Sequence, residues 1–462
     1  MKINVKKILV AASLLLPLCA AAQNSRSGYF LDDYTYRFQM NPAYGNSKNF
    51  VSMPALGNFN FGVNGTLGIS DVLYNVDGRT TTFLNPGVSA AEVMSNIGDM
   101  NRFDVNTRIN ILSTGFKAFG GYNTISLGTR VNVGIKVPGS AFSLLKEGIT
   151  NDTYHIANLK GHGTAFAELG FGHSRDIMPG LRVGANLKFL FGAGNFNLDF
   201  RKADLTLGVD DWQIESDGEV NVNLKGFKYK TDTRTDVPAG QPARTYVNGM
   251  EVDGPGLGGF GLALDLGAVY TPEILPDFEF SLAFQDLGFI SWSNNVLATT
   301  HGTKSFNTDK YTFNVDKDAA NSFDNEFDIL KDDLYRLYEL DNAGDTGSKV
   351  TGIGATMNVG VLYTLPYYRA LKFGLLNTTR IQGAFSWTDF RLSANVMPCK
   401  VFDAGINVSA GTFGMGFGWM ANLHCPGFNL FVGMDRTLGK LAKQGVPLSS
   451  NADLTLGINF LF

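Results

Sequence analysis

The last ten residues constrain this chain more than any other stretch. From Asp453 to Phe462 the even positions carry Leu454, Leu456, Ile458, Phe460 and Phe462. The odd positions carry Asp453, Thr455, Gly457 and Asn459, with Leu461 the one exception. A period of two belongs to a strand with one apolar and one polar face. About ten such residues, tilted, cross the apolar layer of a bilayer. Hydrocarbon offers no partner to an open strand edge, so strands that meet lipid must close on themselves. The segment therefore predicts the closing strand of a transmembrane β-barrel. Alone it also fits a terminal strand of a soluble sandwich, and the rest of the chain decides between them.

The chain has 462 residues, long for one compact soluble domain and ordinary for one large barrel. Charged residues make up 17%, below the roughly 25% of soluble domains. Hydrophobic residues reach only 44% and mean hydropathy is −0.01. After residue 22 no apolar run approaches the ~20 residues of a spanning helix, whereas alternation hides a lipid-facing surface in such averages. A net charge of −4 without a basic block argues against a dedicated nucleic-acid binder. Lys2, Lys6 and Lys7 precede the apolar run Ile8 to Leu18, and Ala20, Ala21 and Ala22 precede Gln23. This is the pattern of a signal peptide over 1–22, cleaved between Ala22 and Gln23. Cys19 raises a lipoprotein reading, but Leu18 stands where a small residue is required. The mature chain then keeps Cys399 and Cys425.

Thirteen further stretches alternate. The first places Phe59, Phe61, Val63, Leu67 and Ile69 on one face, and the others cover 109–119, 125–135, 165–171, 181–191, 262–270, 278–284, 353–363, 371–375, 390–396, 402–408, 415–419 and 430–434. With the terminal segment they make about fourteen strands. Their connections sort by parity. With a periplasmic N-terminus the outer loops span 70–104, 137–162, 209–256, 292–350, 378–384, 411–413 and 436–450. The inner turns are all short, and Pro179, Pro272, Pro276, Pro366, Pro398 and Pro426 fall in them, where they remove no ladder bond. Short inner turns, long outer loops and an even strand number are the pattern of outer-membrane barrels. Two outer loops show helical spacing. Ser322 stands as a cap before a run to about Leu340, and Pro138-Gly139-Ser140 precedes a shorter stretch from Ala141 to Gly148. Residues 198–228 extend as a hairpin above the membrane.

Asn24 to Pro54 lacks long alternation. It holds Tyr29, Phe30, Tyr34, Tyr36 and Phe38, then Asn41-Pro42-Ala43, where Pro42 fixes its own backbone and keeps Asn41 out of helix. As a plain turn this needs no further explanation. An Asn-Pro-Ala motif soon after a signal peptide and ahead of a barrel also resembles the long-chain fatty-acid transporter superfamily, whose N-terminal segment folds inside the barrel as a hatch. The same motif occurs in barrel accessories of type IX secretion. The run Arg26-Ser27-Gly28-Tyr29-Phe30, then Asn41-Pro42-Ala43, then Pro54-Ala55-Leu56-Gly57-Asn58 resembles more closely an outer-membrane family of unknown function. The resemblance implies a hatch over 23–56 and a barrel over 57–462. Phe462 at the end of an alternating strand resembles the signal that such barrels show their assembly machinery.

Catalytic patterns are sparse. His155, His162, His173, His301 and His424 make no helical metal pair, no Cys pair resembles a zinc knuckle, and no Gly-x-Ser-x-Gly elbow occurs. His155 and His162 share one outer loop with Asp152, the weak best case for a metal. Cys399 and Cys425 lie in inner turns two strands apart, a long reach for a disulfide. The sequence thus predicts no enzyme, no cofactor and no metal. Arg108, Arg130, Glu168, Arg182, Lys188, Asp265 and Arg391 alternate with apolar residues and so point into the lumen, as do Lys372 and Asp403. A solvated or salt-bridged lumen accounts for them without a substrate path. The transporter resemblance implies passage of hydrophobic small molecules across the outer membrane. The secretion resemblance implies instead a non-transporting anchor or accessory for secreted or surface proteins. Outer-membrane lipid, the barrel-assembly machinery, and a hydrophobic small molecule or a secreted protein are the implied partners, with no nucleic acid.

Overall fold

A computed structural model describes residues 25–67, 71, 73–147, 153–208, 211–234, 244–254, 256–307, 329, 336–437 and 451–462. The signal segment 1–22 and most of the helix expected over 322–340 lie outside the described residues. Fourteen strands form the barrel. They are β1 (Phe50–Ser52 and Asn58–Gly65), β2 (Met100–Ala118), β3 (Gly121–Pro138), β4 (Leu159–Met178), β5 (Leu181–Leu207), β6 (Gly259–Tyr270) and β7 (Phe278–Trp292). There follow β8 (Lys349–Gly352 and Ala355–Thr364), β9 (Leu371–Ile381), β10 (Trp387–Cys399), β11 (Phe402–Gly411), β12 (Gly414–Leu423), β13 (Asn429–Met434) and β14 (Ala452–Leu461). Each pairs antiparallel with its neighbours, and β14 returns to β1 with Leu456 opposite Phe59 and Leu461 opposite Phe50. No edge is left for lipid to meet.

The alternation maps onto the two faces. Leu392 is 57% exposed on the outer wall while Arg391 beside it is 2% exposed. Leu127, Leu264, Leu375 and Val408 share the outer face, and Arg130, Asp265 and Asn407 the inner one. One expectation is shortened. β1 stops at Gly65, and Leu67 is buried instead of facing lipid. At that height β14 has reached its first residue, and the Asn451 side chain bonds both Gly65 N and Gly65 O at 3.2 Å in place of a ladder. Ile69 lies outside the described residues.

Two bulges change which residues face inward. In β7 the apolar residues are even at Phe280, Leu282 and Phe284, then odd at Leu287 and Phe289. The register against β6 shifts between Leu264 and Leu266, Asp286 takes a φ of 59°, and Gln285 and Asp286 both turn into the lumen. In β5 the apolar parity changes likewise, from Phe189 and Phe191 to Phe196 and Leu198, where the register against β4 shifts between Ala165 and Phe166.

Above the membrane β5 runs on to Leu207 and turns back as Asp211–Asn223, as the hairpin over 198–228 required. Val296–Asn307 and Asp341–Asp345 extend that sheet. Two helices in outer loops lie wholly within the described residues. In α1 (Ala90–Asn96) the Ser89 hydroxyl accepts from Glu92 N at 3.1 Å, and α2 (Gly139–Glu147) occupies the shorter of the two expected helical stretches. Because the apolar belt meets hydrocarbon, Leu392→Arg is expected to cost about 2–4 kcal/mol in lipid vesicles, measured by chemical unfolding. A loss within experimental error would mean that β10 does not face lipid.

Candidate functional site

The lumen is the candidate site, and residues 25–49 fill it. Tyr29, Phe30, Leu31, Tyr34, Tyr36, Phe38 and Met40 form a buried cluster with Tyr122, Leu362, Leu376, Met420 and Phe431 of the wall. Aromatic side chains supply this much contact on a short segment, and the hydroxyls of Tyr29, Tyr36 and Tyr44 find partners, while that of Tyr34 has none among the described residues. Tyr36 donates to Asn459 Oδ1 at 2.8 Å, Tyr29 to Ser281 Oγ at 3.1 Å and Tyr44 to Glu279 Oε1 at 2.9 Å. Where the hatch presses on the wall, the wall carries glycine. A Cβ at Gly184 or Gly267 would collide with Pro42 and Asn41, and one at Gly360 or Gly374 with Phe30. Asn41 Oδ1 accepts from Ala43 N at 3.0 Å, closing an Asx turn, and its Nδ2 donates to Ala268 O at 3.3 Å. The Asn-Pro-Ala motif is thus a turn that docks on β6.

Of the nine charged residues expected to face the lumen, five meet in one cluster. Arg108 and Arg130 lie 2.5 and 2.9 Å from Glu168. Lys188 lies 2.6 Å from Asp265. Asp286 joins the two halves, 2.7 Å from both Arg130 and Lys188. Three cations and three carboxylates are thereby matched in a buried wall, where an unmatched charge would cost most. Asp286 was not among the expected residues, because strict alternation puts it on the lipid face. The change of apolar parity around it was the available signal.

Arg391 belongs to a second group with Asp389, Asp435 and Arg436, 3.1 Å from Asp389. The hatch enters this group directly. Arg26 Nε lies 3.0 Å from Asp435, and Ser27 N donates to the same carboxylate at 2.7 Å. Arg182 stands apart from both groups, at the inner end of the lumen, where it donates to Ser174 Oγ at 3.2 Å. Further down, His424 lies 3.7 Å from both Asp33 of the hatch and Asp403 of β11. Phe462 is exposed at the inner rim, and its backbone exchanges hydrogen bonds with Asn49 where the hatch joins the wall.

Three spaces lie along the barrel axis. An outer cavity of about 870 Å³ is lined by His162, Thr164, Asn195 and Asn197 beside Phe385. A cavity of about 60 Å³ follows between wall and hatch, touching Arg26 and Met40. An inner cavity of about 850 Å³ opens between Asp32, Arg37, Lys117 and Arg182. The hatch separates the outer and inner spaces.

His162 sits on β4 and not in an outer loop, against Phe385. His155 pairs with Asp204 at 3.0 Å, so the two histidines do not converge, and Asp152 lies outside the described residues. Cys399 is exposed, Cys425 half-buried, and both are free. Thiol titration of unreduced mature protein is therefore expected to find two reactive groups; none would reveal a bridge. Replacing Lys188 by Met strips Asp265 and Asp286 of a shared cation and is expected to cost about 3–5 kcal/mol by chemical unfolding. A cost below about 1 kcal/mol would mean that lumen water already screens the pair.

No curated protein matches this sequence. Among solved structures, the toluene transporter TbuX of Ralstonia pickettii aligns at 8% identity over 96% of each chain, with a TM-score of 0.40. A Pseudomonas aeruginosa FadL homologue aligns at 10% identity over 96% of this chain and 98% of its own, TM-score 0.37. The translocator domain of the autotransporter NalP from Neisseria meningitidis aligns at 8% identity, over 91% of this chain and 90% of its own, TM-score 0.33. Similarity of this size assigns no function. The model of a family of unknown function, DUF5723, matches residues 42–435, from the Asn-Pro-Ala turn to Asp435 at the outer end of β13. This closed and plugged fourteen-stranded barrel therefore belongs to the DUF5723 family.

Proposed function

We propose that the protein passes small hydrophobic molecules across the outer membrane, with the N-terminal segment as its gate. The observation that carries this reading is the placement of the hatch. It stands between two large cavities, and among the described residues no backbone–backbone hydrogen bond ties residues 25–48 to the wall. Phe385, Ala384 and Ala355 line part of the outer cavity among polar residues, which suits capture of a largely apolar solute. Movement of the hatch would uncover the wall glycines and its own aromatic surface together. Thr35 Oγ1 lies 2.9 Å from Asn429 Oδ1 of β13, a position for a reversible lock. In a Cys399→Ser, Cys425→Ser background, Thr35→Cys with Asn429→Cys is expected to slow entry of an apolar fluorophore into proteoliposomes at least tenfold when oxidised. Reductant is expected to restore it. Equal rates in both states would overturn the gate.

A second reading has its own support. The sheet above the membrane carries an exposed charged face, with Arg201 paired to Asp217 at 2.8 Å and Lys202 to Glu215 at 2.6 Å. Such a surface suits an anchor or accessory for secreted proteins. Proteoliposomes that admit no probe with the lock reduced, and none after removal of residues 24–48, would favour this reading over passage.

A further inference from the structure

The small cavity between hatch and wall is unusual in its charge. Arg26, Arg108, Arg130 and Arg380 line it, against the single carboxylate of Asp286. The matched groups of the lumen account for Arg26, Arg108 and Arg130. They do not account for Arg380. Its Nε donates to Gln382 Oε1 at 2.8 Å, one terminal nitrogen to Thr356 Oγ1 at 3.3 Å, and the other to Ile353 O at 3.0 Å. All three acceptors are neutral, and the residue is only 6% exposed. A buried guanidinium with no carboxylate in salt-bridge range among the described residues, Asp286 and Asp104 acting on it only from further off, is a costly arrangement that an anion would relieve.

One further polar atom points the same way. Arg130 Nε is buried on a cavity-lining residue and has no hydrogen-bond partner among the described residues. Buried donors are ordinarily satisfied, so this one is open to an acceptor from outside. The space of about 60 Å³ has room for roughly four ordered waters or one small oxyanion. Forked guanidinium donors match the paired oxygens of a carboxylate or phosphate.

We propose that this cavity binds a small oxyanion, a carboxylate or phosphate group, between Arg380 and Arg130 of the wall and Arg26 of the hatch. The ligand bridges hatch and wall, so its presence favours the seated hatch. The binding site does not depend on what the barrel passes; only its control of the gate rests on that reading. The oxyanion could arrive free or as the head of an amphiphile whose tail lies in the outer cavity, which shares Asp286 with this one.

Calorimetry on the whole barrel in a non-ionic detergent separates these sources. Inorganic phosphate and decyl phosphate are the probes, with decanol and sodium chloride of matched ionic strength as controls. Saturable phosphate binding at one site per barrel is expected. Arg380→Gln is expected to weaken it about ten- to hundredfold, and Arg380→Lys to regain most of the loss. The heat-modifiable gel mobility of the closed barrel confirms that each variant is folded. Binding of decyl phosphate but not inorganic phosphate, still lost in Arg380→Gln, supports the site and assigns it to an amphiphile. The proposal falls if neither probe saturates, or if folded Arg380→Gln binds as the parent does. Binding that persists while the oxidised lock leaves passage unchanged removes the gate and keeps the site.

Discussion

Hydrocarbon cannot hydrogen-bond a peptide group, and the rest of this structure depends on that fact. Each strand in the bilayer must give its N–H and C=O groups to a neighbour, so the first and last strands must find each other. β14 meets β1 at Leu456 opposite Phe59, and the ring is complete. Closure then fixes everything else about the side chains. One side of every strand meets lipid and the other meets an enclosed interior, which explains why Leu392 and Arg391 are adjacent and opposite in exposure.

An enclosed interior poses a second problem. Charges there are removed from bulk water and must be matched. Three cations and three carboxylates on β2 to β7 achieve that, and the bulge at Asp286 supplies the sixth member. The hatch fills what remains with aromatic rings and reaches the second charged group through Arg26. Glycines on the wall give the backbone of the hatch room to approach. The plug is therefore part of the packing of the barrel, yet residues 25–48 are held only by contacts that can be broken and remade.

Much of this was legible in order along the chain. Fourteen alternating stretches, short inner turns with their prolines, and inward positions for Arg108, Glu168, Lys188 and Asp265 follow from a period of two. The structure contains all fourteen strands and the short turns, because lipid exposure acts on every residue separately, but Pro398 falls inside β10 beside a bulge and not in a turn. Legibility failed where one residue departed from the period. Asp286 sits at a bulge, so counting by twos puts it on the wrong face, although the apolar residues around it change parity. Leu67 was misplaced because β14 begins at Ala452, and at Gly65 the Asn451 side chain replaces the ladder on that side. His162 was placed in a loop because β4 begins six residues before the first clear alternation at Ala165.

The sequence by itself determined that a closed barrel would form, which residues would face lipid, and that an aromatic segment with an Asn-Pro-Ala turn would stand apart from the strands. These are local properties, since each residue answers to its own solvent. Only the tertiary structure decided that five expected charges converge with Asp286 while Arg182 stands alone, that Arg26 of the hatch pairs across the lumen with Asp435, and that Arg380 is left with neutral partners. Such distances depend on strand register and barrel curvature, which bring together residues hundreds of positions apart and leave no mark on the period of any one strand.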